Sequence, residues 1–258
     1  MTKTIVLVHG AWLNAASWEG FKARYEGKGY TVVAPSWPLD DRPPAELRAS
    51  PHPELHKVGF RKILDRYERL IRALPEKPFI IGHSVGGTFT QMLLDRGLGV
   101  AGVAIHPAPT SGVLVGLQTI ISTFPVFLSW GSWSRVMHMS EKFFATHFAQ
   151  TERDPTTAYD KYVVPTPGKV YWDGLLNKAG KIRWDNPNRA PLLLIGGDKD
   201  LIAEAGMTKA IYEKQKKAPS PTELKICPGR SHWTCMDPGW EQVADDALAW
   251  CEKQVAAR

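Results

Sequence analysis

The stretch "PFIIGHSVGG", Pro78 to Gly87, drives four apolar residues straight into Gly82-His83-Ser84-Val85-Gly86-Gly87. A packed core gains nothing from a hydroxyl fenced by glycines. The pattern G-x-S-x-G, after a predicted strand and before a predicted helix, reads as a tight strand-to-helix turn that holds the serine hydroxyl above a sheet. Glycines two before and two after the serine remove side chains that would collide with the strand and the helix. The competing reading is a serine capping a helix beside packing glycines. The motif alone is common by chance; its strand–turn–helix setting makes it specific.

Outward from this point, the other apolar runs are short, continuous and rich in β-branched residues, as strands buried on both faces are. They are Thr4–His9, Thr31–Pro35, Pro78–His83, Val100–His106, Pro191–Gly197 and Glu223–Pro228. Helical patterns fall between them at Ala15–Glu26, Phe60–Leu74, Val85–Arg96, Glu204–Lys217 and Trp240–Val255. Phe60, Ile63, Leu64, Tyr67, Leu70, Ile71 and Leu74 form one 3.6-residue stripe. Strand–helix alternation predicts an α/β fold: a doubly wound, mostly parallel sheet of about six strands with helices on both faces.

Two stretches interrupt the alternation. Pro35–Pro53 carries six prolines and reads as a long ordered loop. Pro107–Asn188 is far too long for a crossover and holds several helix-like pieces, with Trp130, Trp133, Trp172 and Trp184. The expected organisation is a core of residues 1–106 and 189–258, with 107–188 inserted as a mainly helical cap or lid.

Composition narrows the function classes. The chain has 258 residues, 43% hydrophobic and 22% charged, enough for a sizeable core and unlike a disordered segment. The net charge of +6 is scattered. Its densest run, Glu213–Ala218, reads as the solvated end of a helix, so no nucleic-acid partner is expected. Cys227, Cys235 and Cys251 are an odd, sparse set without a CxxC pair, which predicts neither a disulfide framework nor a metal site. No signal peptide is visible at the start. The most apolar long segment, Ser111–Gly131, contains Gln118 and Pro125 and makes a poor membrane span. The expected protein is cytoplasmic, without cofactor or stable membrane insertion, and acts on a small molecule; association into a homodimer is left open.

A serine hydroxyl is a poor nucleophile at neutral pH and needs a base oriented by a carboxylate. "LLLIGGDKDLIAE" ends a strand in Asp198 and Asp200, and "CPGRSHW" ends the last strand in a loop with His232. Both loops belong at the carboxyl edge of the sheet, beside Ser84. Asp200 is the candidate acid, because Leu201-Ile202 can anchor its loop; Asp198 is expected to cap the turn or make a loop hydrogen bond. His232 is the candidate base. His52 and His56 look solvent-facing, and His138 and His147 are candidates for the entrance. Acyl transfer also needs fixed N–H donors for the developing oxyanion, each worth roughly 3 kcal/mol. The backbone of Val85, at a helix N-terminus, and of Ala11, in "HGAW" after the first strand, are the candidates, with His9 and Gly10 shaping the loop. Trp12, His83, Phe124 and Trp233 are candidate substrate-lining residues.

Together "VLVHGAW", "IIGHSVGG", "LLLIGGDKD" and "PGRSHW" resemble the α/β-hydrolase superfamily, over the whole chain outside the insertion. The resemblance implies Ser84 as nucleophile, His232 as base, Asp200 as acid and the Ala11 and Val85 N–H groups as oxyanion hole. Because the sequence opens directly on the strand before "HGAW", the family's usual N-terminal β-hairpin is not expected. Haloalkane dehalogenases and epoxide hydrolases of this fold use an aspartate where Ser84 stands. "HGAW" is similar to the opening of plant methylesterases and hydroxynitrile lyases, but those lyases rely on a lysine where Trp233 stands. The expected activity is hydrolysis of a carboxylic ester of a small, largely apolar substrate through an acyl-enzyme. Hydrolysis of a lactone, an amide or a carbon–carbon bond is the first alternative, and a non-catalytic small-molecule receptor the second. The apolar residues Leu114, Leu117, Ile120, Ile121, Phe124 and Phe127 suggest either a substrate of low polarity or packing of the insertion onto the core.

Overall fold

The computed structural model describes residues 2–109, 112–176 and 181–256; positions 110–111 and 177–180 of the insertion lie outside it. In chain order the strands are β1 (Thr4–Val8), β2 (Thr31–Val33), β3 (Phe79–His83), β4 (Ala101–Ile105), β5 (Val136–Met137), β6 (Thr166–Pro167), β7 (Leu192–Gly197) and β8 (Thr222–Cys227). Six form one parallel sheet in the order β2-β1-β3-β4-β7-β8. β5 and β6 pair antiparallel within the 107–188 segment.

The runs without polar interruption are the central strands: β1, β3, β4 and β7 are buried throughout, while β8 at the edge alternates. Successive side chains on a strand point to opposite faces, so each strand feeds two cores. Val6, Val8, Ile80, Ala104 and Leu194 pack on one side of the sheet. Ile5, Leu7, Ile81, Val103 and Ile195 pack on the other. The chain runs outward from β1 to β2, then returns to β3 and continues the other way. The loops after β1 and β3 therefore diverge at a topological switch point, where such sheets leave a crevice at their carboxyl edge.

The helices are α1 (Glu19–Glu26), α2 (Pro44–Ala49), α3 (Phe60–Arg72), α4 (Val85–Asp95), α5 (Leu117–Leu128), α6 (Glu141–Phe143, continuing as a π turn to Phe148), α7 (Pro155–Tyr162), α8 (Lys169–Leu175), α9 (Ala205–Gln215) and α10 (Trp240–Ala256). α3 buries Phe60, Ile63, Leu64, Tyr67 and Ile71 of the predicted stripe, with Leu70 and, just past its end, Leu74 half-buried against the same core. α2 corrects the reading of the proline-rich stretch as a loop throughout. Pro44 stands in its first turn, where a proline's fixed φ suits a helix and its missing N–H costs nothing.

The 107–188 segment is tied to the sheet at named points. Gly59 has no side chain to cap α3, and Asp173 of α8 accepts the Phe60 N–H instead, at 3.1 Å. Glu204, just after β7, accepts the Thr119 N–H at the start of α5, at 3.0 Å. The outer face of α5 is less conventional. Leu114 is 88% exposed and Leu117 68%, and Ile120, Ile121 and Phe124 are exposed too. These side chains do not pack the segment onto the core, contrary to one of the two expectations; Phe127 packs inside the segment, against Tyr171 and Trp172 of α8. No described helix is long and apolar enough to cross a membrane.

The elbow glycines explain how the strands converge. A Cβ on Gly86 would run into the Val8 carbonyl oxygen and stand 2.7 Å from that of His9. Both obstacles are backbone of the central strand and the loop that leaves it, so neither can swing aside. Gly86→Ala is therefore expected to cost about 2–3 kcal/mol, lowering the thermal midpoint by roughly 5–10 °C. Circular dichroism melting measures it, and a shift below about 2 °C would contradict this backbone contact.

Candidate active site

Ser84 sits between β3 and α4 with φ 56° and ψ −123°, a left-handed conformation that non-glycine residues rarely adopt. The surroundings hold the strain in place. The Ser84 N–H donates to the Ile105 carbonyl at 3.0 Å, and the Ser84 carbonyl accepts from Gly87 at 2.9 Å and Ala108 at 3.0 Å. The loop after β1 closes from the other side. A Cβ on Gly10 would stand 2.6 Å from the Ser84 Cβ and 3.2 Å from its Oγ, so only glycine allows that loop to reach the serine. Neither the Ala11 nor the Val85 N–H has an acceptor among the described residues, and Val85 opens α4, whose dipole favours negative charge there.

His9 shapes the loop as expected, and its tautomer follows from its partners. The Gly10 carbonyl can only accept, so Nδ1 carries the proton, at 2.9 Å. Nε2 is then bare and accepts the Trp37 N–H at 3.0 Å. The ring stacks on Trp37 and is fully buried. Burial, partly offset by the Gly10 bond, pushes its pKa down to about 4.

Asp200 leaves the end of β7 and points under the His232 loop. Its Oδ1 accepts the N–H groups of Ile202 and Ala203, each at 2.7 Å. Its Oδ2 contacts the Nδ1 of His232 at 2.7 Å. Burial alone would raise its carboxyl pKa. Attraction to His232 and the imidazole N–H bonds outweigh burial and hold Asp200 well below the usual carboxylate range. Because an ionised carboxylate only accepts, His232 Nδ1 is the protonated nitrogen and Nε2 is bare. That Nε2 is buried without a hydrogen-bond partner among the described residues. No hydrogen bond joins it to Ser84 Oγ in this arrangement, but the ring of His83, the residue before Ser84, lies 4.8 Å from the His232 ring.

Asp198 makes the loop bond expected of it, accepting the Gly229 N–H at 2.6 Å. The four candidate substrate-lining residues fare differently. His83 is buried, and its Nε2–H donates to the His232 carbonyl at 2.8 Å, holding the His232 loop. Trp233 is buried among Phe144, Phe148 and Tyr162, with its indole N–H on Glu152. Trp12, at φ 68°, gives its N–H to Thr166 Oγ1 and its indole N–H to Tyr171, and joins the loop after β1 to the inserted segment. Phe124 is on the exposed face of α5. His138 is exposed, and His147 stacks on Phe143.

Sequence reasoning missed one member of this cluster. His106, at the end of β4 with φ 46°, places Nδ1 2.6 Å from the same Asp200 Oδ2. The available signal was its position: a polar, titratable residue ending the strand between those that carry Ser84 and Asp200. His106, Asp200 and His232 lie close enough together to raise the question of a metal ion. Both Nδ1 atoms already meet Asp200 Oδ2 at hydrogen-bond length, and an ion with ~2.0–2.2 Å bonds on each side would have to displace both protons. The donor set fits a hydrogen-bonded carboxylate and does not fit a metal centre.

The family model described as "Alpha/beta hydrolase family" matches residues 5–246. The chain belongs to the α/β-hydrolase family. No curated protein sequence matches it. Solved structures similar to this α/β hydrolase include a monoacylglycerol lipase of Paleococcus ferrophilus, 20% identical, with TM-score 0.68 over 98% of this chain and 96% of that one. A methylesterase from Arabidopsis is 15% identical, with TM-score 0.70 over 96% and 98%. A tomato methylketone synthase I variant complexed with β-ketoheptanoate is 18% identical, with TM-score 0.69 over 98% of each chain. At these identities the likeness is one of fold.

Proposed function

We propose that this α/β hydrolase cleaves a carboxylic ester of a small, largely apolar substrate through an acyl-enzyme. The observation that carries the reading is the His232–Asp200 pair: a buried imidazole whose Nδ1–H is fixed on an ionised carboxylate, leaving Nε2 bare and unpartnered, with the ring 4.8 Å from that of His83, the residue before the elbow serine. That Nε2 takes the Ser84 proton as Ser84 Oγ attacks the ester carbonyl. The N–H groups of Ala11 and Val85 receive the charge that develops on the carbonyl oxygen. The imidazolium, stabilised by Asp200, returns its proton to the leaving alcohol, and water then repeats the cycle on the acyl-serine. Residues 107–188 act as the cap that covers the site. Phe148 supports the apolar preference, because its ring stands edge-on to His232 at 4.7 Å.

The direct test is turnover of p-nitrophenyl acetate and butyrate by the purified protein, with mass spectrometry of the protein after a fluorophosphonate. The expected results are saturable hydrolysis, faster for butyrate, and a single adduct on Ser84. An adduct elsewhere, or no turnover of either ester, would refute the proposal. A panel of lactones, amides and β-diketones separates the ester reading from its nearest alternatives.

A further inference from the structure

The Asp200 carboxylate carries more than a catalytic pair requires. Oδ1 is filled by two backbone N–H groups, and Oδ2 is approached by two imidazoles, His232 at 2.7 Å and His106 at 2.6 Å. All three residues are buried. Since the carboxylate only accepts, both Nδ1 atoms carry protons, and His106 is a neutral imidazole with a bare, unpartnered Nε2.

The place for His106 is built into the fold. Its N–H donates to the Ile195 carbonyl at 2.7 Å, which fixes the backbone between β3 and β7. A Cβ on Gly197 would meet the Arg230 carbonyl oxygen and stand 2.6 Å from the His106 Cε1, so the second glycine of "GGDKD" lets both the His232 loop and the His106 ring close on the acid. The left-handed φ of 46° is the strain accepted to aim it there.

We infer that His106 is a positioning residue for the His232–Asp200 pair, fixing the direction of Asp200 Oδ2 and sharing the charge that would otherwise fall on His232 alone. The inference rests on the reading of His232 as base and Asp200 as acid. Its consequence is electrostatic. A carboxylate oxygen divided between two donors attracts each less than it would one. With His106, the His232 ring shares its carboxylate oxygen with a second donor and is held by it less strongly. Without it, Oδ2 serves His232 alone, the imidazolium gains, and the carboxylate is freer to turn.

The other groups around this pair are few. His83 comes from β3, and Arg230 precedes His232 in the loop after β8. The described part of the 107–188 segment brings Phe148 onto the His232 ring, and its Glu152 onto the indole of Trp233. Burial lowers the pKa of His106 itself, against the pull of Asp200, in keeping with a neutral donor.

The test compares His106→Leu, which removes the donor at similar volume, with His106→Asn, whose amide Nδ2–H can stand where Nδ1–H stood. The profile of kcat/KM against pH is measured for p-nitrophenyl butyrate. For His106→Leu, the acid limb is expected to move up by about one pH unit, with kcat down about 10–100-fold and KM changed little. His106→Asn is expected to restore the wild-type limb and most of kcat. Two variants slowed equally with the wild-type limb, or a Leu variant with the wild-type profile, would overturn the inference. A measurement on the unaltered protein guards against misfolding of the variants. Its 15N-histidine spectra should show His106 as the Nδ1–H tautomer from pH 6 to 9, and an Nε2–H tautomer would overturn the inference outright. Failure of the underlying triad reading shows separately, as ester turnover that survives the loss of Ser84.

Discussion

Ser84→Ala is expected to lower kcat/KM for p-nitrophenyl butyrate by at least about 10³–10⁴-fold. The fold should survive, because the substitution removes one oxygen and leaves the strained turn to the same backbone hydrogen bonds from Ile105, Gly87 and Ala108. The magnitude follows from the mechanism. Without the hydroxyl no acyl-enzyme forms, and what remains is the oxyanion site with water as nucleophile. The double variant Ser84→Ala/His232→Ala sharpens the test. If Ser84 and His232 act as one unit, the double variant is about as slow as either single one, because the base has nothing to activate once the serine is gone. If the losses multiply instead, the two residues act independently and the mechanism proposed here is wrong. Undiminished activity in Ser84→Ala would remove the nucleophile altogether.

What the chain discloses about this site depends on the distance over which each interaction is written. The elbow is legible because its logic is local: Gly82, Ser84 and Gly86 lie within five residues, and the glycines answer collisions between adjoining elements. Asp200 and His232 are legible because the ends of parallel strands share one edge, so two strand-end loops suffice to bring them together. His106 ends a strand in the same way, but its role depends on Asp200, 94 residues away, and on space left by Gly197. Nothing near His106 in the chain hints at either. Trp12 is similar, with both of its polar groups answered by residues more than 150 positions on.

Two further differences have separate physical causes. Six prolines hide α2, because proline opposes a helix everywhere except its first turn, and Pro44 occupies that turn. An apolar stripe reads the same whether it meets a core or faces outward. Hence the periodicity of α3 gives its buried face correctly, while the apolar residues of α5 are split: Val126 is buried and Leu117, Ile120, Ile121, Phe124 and Leu128 are exposed.

The buried histidines make stability depend on pH, and His9 is the case with a sign and a size. Its folded-state pKa is about 4 and its unfolded value 6.5. Above pH 6.5 both states are neutral and His9 adds no dependence. As the pH falls from 6.5 to 4 the unfolded chain takes the proton and the folded one does not, so stability falls across that window and levels off below it. The difference of 2.5 units, at 1.36 kcal/mol each, amounts to roughly 3 kcal/mol. The structural reason is specific: a protonated Nε2 can no longer accept the Trp37 N–H, and the stacked indole leaves the charge no water. Burial lowers the pKa of His83 and His106 too, which adds in the same direction. Asp40 opposes them. Its carboxyl is raised by burial and next by the nearby Asp41, so the folded state holds its proton more readily and gains as the pH falls. The whole-protein profile sums these contributions, and a variant is needed to isolate His9. His9→Gln keeps an amide able to donate and accept but does not titrate. Urea denaturation at pH 7 and at pH 4 should show the wild type losing its lead over His9→Gln, by up to roughly 3 kcal/mol across the interval. A gap between the two proteins that stays constant with pH would mean that His9 takes its proton in the fold as readily as in the unfolded chain, and that the Trp37 N–H is not what its Nε2 accepts.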